Sequence, residues 1–331
     1  MHCSEVRFAR QLGAAVAAGA VGAFLSIMPA AAQDYPTHEI HAVCSYAAGS
    51  GADILVRYYS DKLAKLAGKP VIVENRAGAQ GLIGTEYASK AKPDGYTILI
   101  APISSTLAAA PYLFKKLPYD PFKDFTAVAP ISSLNFVVAV AGTSPIKNIQ
   151  ELVKYLKSKG DHGSYGISNN TAQVAGEVFK EMAGLKSVLV PYQTIAPAVT
   201  DLVGGRLDYI VGDATFMTGQ ARAGRIKLIA VTGPKRSAAL PDVPTMAESG
   251  FPGYDISAWW GVVVPTGTPK PVIDRLAGWL RQINAMEETR KFLHNVSTDV
   301  LDGTPESMAA LVKRDNERWS RYTKIAHIEP Q

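Results

Sequence analysis

Residues 42–66 read AVCSYAAGSGADILVRYYSDKLAKL, and the fold class follows from this stretch. It begins as an apolar strand, passes through small residues and continues as a helix with apolar side chains at near-helical spacing. Those side chains, which can bury one face of the helix, are Leu55, Tyr59, Leu63 and Leu66. The first N–H groups of a helix have no partner within it and lie at the positive end of its dipole. The stretch therefore predicts a βα unit whose loop suits an anion.

The whole chain has the composition of a globular protein. It is 47% apolar and 19% charged. Its length of 331 residues is enough for two domains of ordinary size. The net charge of +5 comes from lysines and arginines scattered along the sequence, without a dense basic tract. We therefore expect no nucleic-acid partner.

The first 32 residues have the pattern of a cleaved secretory signal. Arg7 and Arg10 precede an uncharged run, 12–28, and the alanines at 30–32 form the cleavage motif. An uncleaved membrane anchor is the alternative, because the run nearly reaches the length that spans a bilayer. The alanine and glycine content of the run favours cleavage, so we expect residues 1–32 to be a signal peptide. Cys44 is then the one remaining cysteine, which excludes an internal disulfide.

Strands and helices alternate from Glu39 onward. Strand-like segments at 40–44, 71–74 and 96–101 are each followed by a loop of small or hydroxyl-bearing residues and then by a helix. Three such units in succession predict a parallel sheet with helices on its faces.

A second set of βα units begins at Asn135. Its strand-like segments are 135–141, 165–167, 188–190, 209–211 and 227–232. A connector rich in proline and glycine follows at 233–253, and strand-like sequence resumes at 258.

The two sets predict two α/β lobes. We expect one lobe to contain 35–134 together with 257–331, and the other to contain 135–256. Ligands bind at the carboxyl ends of the strands in open α/β sheets, and clefts between domains are favoured sites. The sequence therefore predicts a ligand cleft between the lobes.

No assembled catalytic group is visible in the sequence. Ser50 follows a strand, but a nucleophile elbow needs glycines two residues before and after the serine, and these are absent. The glycines of the first loop complete neither a dinucleotide fingerprint nor a phosphate loop. His38, His41 and Cys44 are spaced by three near a strand, which turns neighbours to opposite faces. We therefore expect no enzyme activity, no cofactor and no metal site.

Six short segments carry a resemblance to a known family. They are VIVENRAG at 71–78, PDGYT at 93–97, LPYDP at 117–121, VPY at 190–192, LPDVPT at 240–245 and PTGTP at 265–269. With these segments in order, the sequence from 35 to 331 closely resembles the Bug or TctC proteins. Those are the periplasmic solute-binding proteins of tripartite tricarboxylate transporters.

The resemblance implies a type II periplasmic binding protein of the Venus-flytrap kind, in which two α/β lobes joined by two crossings close on a ligand. The ligand would be a small organic carboxylate, either a di- or tricarboxylate or an aromatic carboxylate, bound without a cofactor. The protein would work as a monomer in the periplasm of a Gram-negative bacterium and deliver its ligand to two membrane subunits. The alternatives are a periplasmic ligand sensor, an orphan binding protein without its own transporter, and a secreted hydrolase.

Backbone amides of the first loop hold a ligand carboxylate in the family, which implies this role for Ala48 and Gly49 here. Basic side chains are not the usual clamp. The candidate ligand-binding residues are Tyr46, Ala48, Gly49, Ser50, Asp53, Ser104, Thr106, Ser168, Asn169, Asn170, Thr171, Tyr192 and Asp213.

Two residues have two interpretations each. Asp53, at the start of the first helix, either caps backbone N–H groups or faces the ligand, and the family's broad use of aspartate here favours the cap. Asp53→Asn keeps an oxygen acceptor, so the melting temperature and the rank order of ligands are expected to change little. Trp259 is either a core residue of a strand between the lobes or a platform for the ligand.

Overall fold

Short strands alternate with helices along residues 35–330, which are the residues that the computed structural model describes. The strands are β1 (Ile40–Cys44), β2 (Val71–Asn75), β3 (Thr97–Ala101), β4 (Phe125–Ala141), β5 (Ser164–Ile167), β6 (Val188–Pro191), β7 (Tyr209–Asp213), β8 (Ile226–Val231), β9 (Ser257–Pro265) and β10 (Thr298–Val300). The helices are α1 (Gly51–Ala67), α2 (Leu82–Ser89), α3 (Ala110–Leu113), α4 (Ile149–Lys159), α5 (Asn170–Ala183), α6 (Ile195–Val203), α7 (Ala214–Arg222), α8 (Lys270–Ala285), α9 (Glu287–Asn295) and α10 (Pro305–Ile325). Shorter helical turns lie at Ala79–Gly81, Ser104–Ala109 and Gly160–His162. The predicted signal peptide, residues 1–32, lies outside the described residues.

The strands form one mixed sheet in the order β2-β1-β3-β9-β4-β7-β5-β6, with β8 and β10 also paired to β4. Strand β1 is parallel to β2 and β3, and β5 is parallel to β6 and β7. The parallel pairing predicted for the first set of βα units is therefore confirmed. In the second set it holds for β5, β6 and β7, whereas β4 and β8 pair antiparallel. Between the two sets, β9 and β4 run antiparallel to each other and to their outer neighbours β3 and β7.

Strand β4 is seventeen residues long and changes partners along its length. Its first part pairs with β9 and β10, and its second part pairs with β7 and β8. The sequence predicts a strand only from Asn135, whereas β4 begins at Phe125. The earlier part contains Pro130 and two register shifts, which obscure the alternation by which a strand is recognised.

The two predicted lobe boundaries lie side by side in the ribbon of β4 and β9. Leu134 is opposite Ala258, and Asn135 is opposite Ser257. From Pro36 onward the described chain forms one compact unit. The division into two lobes stays a prediction.

Several helix ends follow the signals in the sequence. Asn148 caps α4 by accepting the Glu151 N–H, and Thr304 caps α10 in a capping box with Ser307. The sequence signals are an asparagine three residues before Glu151 and a threonine directly before Pro305. No helix within residues 35–330 combines the length and the apolar character needed to cross a bilayer.

Buried aromatic rings hold α5 against the sheet. Tyr165 of β5 and Tyr209 of β7 stack with ring centroids 5.0 Å apart, and Phe179 of α5 meets Tyr209 edge on. Gly176 permits this packing, because a β-carbon at that position would lie 2.2 Å from the Tyr165 ring. The contacts place the N-terminus of α5 at the carboxyl end of β5.

A buried polar cluster links β9 to α10. The indole Nε1–H of Trp259 donates to Asp315 Oδ2 over 2.5 Å. The Arg318 guanidinium lies 3.4 Å from Asp315 Oδ1 and also pairs with Asp255, just before β9. Burial raises the pKa of Asp315, although the indole and guanidinium groups act in the opposite direction.

Asp315→Leu should lower the free energy of unfolding by about 3 kcal/mol, because it leaves the buried Trp259 N–H without an acceptor and removes a charge that faces Arg318. Asp315→Asn is the matched control. It keeps an oxygen acceptor for the indole and loses only the charge that faces Arg318, so we expect a loss of only about 1 kcal/mol. Urea titrations measure both variants, and equal losses would contradict the role given to the indole hydrogen bond.

Candidate ligand-binding site

A cavity of about 610 Å³ lies at the carboxyl ends of the parallel strands. The segments that follow β1, β2, β3, β5 and β6 all contribute to its wall, which is where ligands bind in α/β sheets. Seven of the thirteen candidate residues line it: Tyr46, Thr106, Ser168, Asn169, Asn170, Thr171 and Tyr192.

Apolar side chains of the strands form part of the wall, which we call the apolar floor. It consists of Leu134, Phe136, Ile167, Pro191, Ala258 and Trp260. Leu134 is opposite Ala258 in the sheet, and Ile167 is opposite Pro191. Residues two apart on a strand share a face, so the face of β4 and β9 that meets the cavity is apolar.

The same alternation decides which tryptophan meets the cavity. Trp260 lines it, and its ring centroid lies 6.4 Å from that of Tyr46. Trp259 has the opposite orientation on β9, and its indole donates to Asp315. Of the two interpretations of Trp259, the structure supports the core role.

The N-terminus of α5 brings four candidate residues together. Ser168, Asn169, Asn170 and Thr171 all line the cavity. Asn169 is the N-cap, and its side chain accepts the Ala172 N–H over 2.9 Å. The first turn of α5 contains no acidic residue, so the positive end of the helix dipole is not neutralised from within the helix.

Thr171 is the most enclosed of these four residues, with 8% of its surface exposed. Its hydroxyl forms no hydrogen bond with any residue in the described range 35–330, and the residue lines the cavity. The backbone N–H groups of Asn170 and Thr171 come before the first intrahelical bonds of α5. Because these groups lie at the cavity and have no acceptor within the helix, this helix end offers donors to a bound molecule.

Gln80 meets α5 at the rim of the cavity. Asn170 Nδ2–H donates to Gln80 Oε1 over 3.0 Å, although the two residues are 90 positions apart in the sequence. Gln80 and the preceding Ala79 have φ values of 54° and 45°, in the left-handed region that favours glycine. Such strain is typical of ligand clamps. Gln80 is not among the candidate residues, although it lies in a small-residue loop that follows a strand.

Asp53 lies in a network of donors beside the first loop. Its Oδ2 accepts the Gly49 N–H at 2.8 Å and the Arg57 Nε–H at 2.9 Å, and its Oδ1 accepts the Asn75 Nδ2–H at 2.8 Å. The hydrogen bond from Arg57 contributes most to lowering the pKa of Asp53, which falls to about 2. Ser50 is the N-cap of α1 and accepts the Asp53 N–H. These bonds agree with a capping role for Asp53.

The first loop contributes to the cavity through only part of its length. Tyr46 and Ala52 line the wall, whereas Ala48 and Gly49 are exposed and lie outside it. The Gly49 N–H already donates to the carboxylate of Asp53. Burial raises the pKa of Tyr46 to about 12, so its hydroxyl stays neutral near neutral pH. Ligand binding by the Ala48 and Gly49 amides stays a prediction.

Two candidates follow β3. The Ser104 hydroxyl oxygen accepts the Trp259 backbone N–H over 3.1 Å and is buried against β9, outside the cavity wall. Thr106 lines the cavity, and its carbonyl oxygen accepts the Tyr119 hydroxyl over 2.8 Å. These bonds hold the turn after β3 in place.

The last two candidates follow β6 and β7. Tyr192 lines the cavity, but its hydroxyl donates to Asp201 over 2.7 Å. Asp213 caps α7 by accepting the Phe216 N–H, and it lies outside the cavity wall. Burial raises the pKa of Asp213.

The described wall of the cavity contains no Asp, Glu, Lys, Arg or His side chain. Across residues 35–330, no three His, Cys, Asp or Glu side chains are grouped as metal ligands. The cavity therefore offers hydrogen-bond donors together with aromatic and aliphatic surface, but no charged side chain.

The lining residues that sequence reasoning missed are mostly apolar. Prominent among them are Leu82, Phe114, Tyr119, Leu134, Phe136 and Trp260. The candidates come from polar loops after strands, a rule that excludes the strands themselves. Alternation along β9 predicts that Trp259 and Trp260 lie on opposite faces of the strand. It does not say which of the two faces meets a cavity.

Comparison with known proteins agrees with this architecture. Residues 55–327 match the family model TctC, described as the tripartite tricarboxylate transporter family receptor. The chain belongs to the TctC family. A UPF0065 protein of Bordetella bronchiseptica is 33% identical over 306 residues, which cover 92% of this chain and 91% of that protein.

Two solved structures are similar to this TctC protein over nearly their whole length. "R. palustris Rpa4515 with adipate" is 29% identical with a TM-score of 0.78, covering 90% of this chain and 100% of the other. MatC (Rpa3494) from Rhodopseudomonas palustris with bound malate is 28% identical with a TM-score of 0.73, covering 87% of this chain and 99% of the other. The protein thus has the mixed α/β fold of the TctC solute-binding receptors.

The structure revises the expectation for Asp53→Asn. An amide offers one oxygen where the carboxylate serves three donors, so we expect a loss of about 2 kcal/mol in the free energy of unfolding near neutral pH. The folded-state pKa of about 2 lies below the ordinary value of about 3.9. The contribution of the ionised carboxylate is therefore present above about pH 4 and lost as the pH falls through about 2. In urea titrations, the difference in free energy of unfolding between wild type and variant should become smaller as the pH falls from about 4 to about 2.

Asp61→Asn is the control on the same helix. Asp61 is exposed and pairs with Lys65 over 2.8 Å, and exposed ion pairs contribute less than about 1 kcal/mol. A loss for Asp53→Asn that is the same at both ends of the pH window would contradict the ionic explanation.

Proposed function

We propose that this TctC protein binds a small organic carboxylate in the cavity and delivers it to two membrane subunits of a tripartite tricarboxylate transporter. The observation that carries the proposal is the Thr171 hydroxyl, which lies at the cavity by the N-terminus of α5 and has no partner among residues 35–330. The structural relatives with bound adipate and malate support it, because both ligands are carboxylates.

A carboxylate at this end of α5 would accept hydrogen bonds from the Thr171 hydroxyl and from the N–H groups of Asn170 and Thr171. Each charge-assisted bond contributes about 1.5–3 kcal/mol, and the helix dipole adds to the attraction. Three such bonds contribute about 4.5–9 kcal/mol before ordering costs are subtracted. Micromolar affinity corresponds to about 8 kcal/mol, so packing of the ligand on the apolar wall has to contribute as well.

The chemistry of the wall supports a binding protein rather than an enzyme. The Ser105 hydroxyl donates to the Pro102 carbonyl, and no histidine or carboxylate side chain lies in the described wall to activate a hydroxyl. A serine or threonine nucleophile needs an adjacent base. We therefore propose that the protein binds and releases its ligand unchanged.

The two-lobed arrangement is part of the proposal. The adjacent pairs Leu134–Ala258 and Asn135–Ser257 would serve as a hinge, because both crossings between the lobes would lie there. Bending at this place would move α5 relative to Gln80 and close the cavity. We propose that the mature protein, without residues 1–32, works as a monomer in the periplasm.

Thermal melting with a panel of acids tests the proposed function. A ligand present at one hundred times its dissociation constant stabilises the protein by about 2.7 kcal/mol, which raises the melting temperature by several degrees. We expect such a rise with at least one of citrate, malate, adipate and benzoate. The methyl ester of the active acid is the control and should have no effect. No rise with any carboxylate would contradict the proposal.

Thr171→Val should weaken binding of the acid identified in that panel by about tenfold, because it removes one charge-assisted hydrogen bond and keeps the shape of the side chain. The free energy of unfolding without ligand should change by less than about 0.5 kcal/mol, since the hydroxyl has no partner within residues 35–330. Thr171→Ser keeps a hydroxyl and is the matched control. Calorimetric titration gives the affinities, and an unchanged affinity for Thr171→Val would place the carboxylate elsewhere.

A further inference from the structure

Aromatic side chains extend the apolar floor on several sides. The six floor residues come from four strands, and the rings of Tyr46, Phe114 and Tyr119 also line the cavity. Tyr46 and Trp260 form a tilted pair, with centroids 6.4 Å apart and ring planes at 50°. Tilted and offset rings present faces and edges against which a further ring can pack favourably.

The hydrogen-bonding groups of the cavity are concentrated in one region. Most come from the segments that follow β5 and β6, around the N-terminus of α5. Elsewhere in the wall, the hydroxyls of Ser105 and Tyr119 donate to the carbonyls of Pro102 and Thr106, and Gln80 is bonded to Asn170. The two further side-chain hydroxyls in that part of the wall belong to Tyr46 and Thr106. The cavity therefore suits a molecule with one polar end and an apolar body.

The apolar region is poorly suited to a second charge. Taking a carboxylate out of water costs several kcal/mol unless donors or a cation replace the lost hydration. No cation lies in the described wall. The same desolvation raises the pKa of Tyr46 to about 12 by disfavouring its ionised form. A compact diacid with a hydroxyl group would leave most of the apolar floor uncovered.

On the basis of the proposed carboxylate-binding function, we infer that the ligand of this protein is an aromatic carboxylate. Its carboxylate would lie at the N-terminus of α5, and its ring would pack on the apolar floor beside Trp260. The volume of about 610 Å³ accommodates a ring together with its substituents.

Calorimetric titration of the purified protein tests this inference with five probes. Benzoate carries a ring and a carboxylate, cyclohexanecarboxylate an alicyclic ring, adipate and malate no ring, and benzyl alcohol no charge. We expect benzoate to bind at least about tenfold more tightly than adipate or malate, and cyclohexanecarboxylate to lie between them. Benzyl alcohol should bind at least about tenfold more weakly than benzoate, because it lacks the charge that α5 recognises.

Two variants of the apolar floor locate the ring. Trp260→Leu should weaken benzoate binding by about tenfold and change any binding of adipate by less than about threefold. Phe136→Leu is a smaller change at the same surface and keeps the test usable if Trp260→Leu fails to fold. Trp279→Leu removes a tryptophan that does not line the cavity and should leave every affinity unchanged.

The outcomes separate this inference from the proposed function. Tighter binding of adipate or malate than of benzoate would overturn the aromatic ligand and leave the carboxylate-binding function standing. Equal loss of benzoate and adipate binding in the floor variants would also overturn the aromatic ligand, because the floor would then not distinguish a ring from an aliphatic chain. Failure of every carboxylate to bind would overturn both.

Discussion

The antiparallel pairing of β4 with β9 is the interaction on which the rest of the structure depends. Strand β9 joins the first set of parallel strands through β3, and β4 joins the second set through β7. The register of this ribbon, with Leu134 opposite Ala258, turns an apolar face toward the cavity. A slip of one residue would exchange the two faces. The hydrogen bond from Trp259 to Asp315 opposes such a slip, because it needs Trp259 on the face away from the cavity.

Helices α1 and α5 both begin near the cavity, and their N-termini differ in charge. The first turn of α1 contains Asp53, whose carboxylate accepts the Gly49 N–H and is paired with Arg57. The first turn of α5 contains no acid, and its Thr171 hydroxyl is unpaired within the described residues. The protein thus supplies its own anion at one helix end and keeps donors unused at the other.

Charged residues near the cavity are paired outside its wall. Arg57 bonds to Asp53 and Asn75, while Arg76 bonds to Glu74 and lies 3.4 Å from the centroid of the Tyr87 ring. Neutral donors and apolar surface are what remain inside. In such a wall, hydrogen-bond geometry and shape, rather than net charge, discriminate between ligands.

The sequence by itself determined the features that depend on neighbours along the chain. The βα repeats, the caps at Asn148 and Thr304, and the polar segment 168–171 after β5 all follow from spacing and local hydrogen bonding. Only the tertiary structure decided the early start of β4, the choice of Trp260 over Trp259 as the cavity residue, and the contact of Gln80 with Asn170. These depend on strand register and on residues far apart in the chain. Alternation gives a strand two faces, and only its partners decide which face meets a ligand.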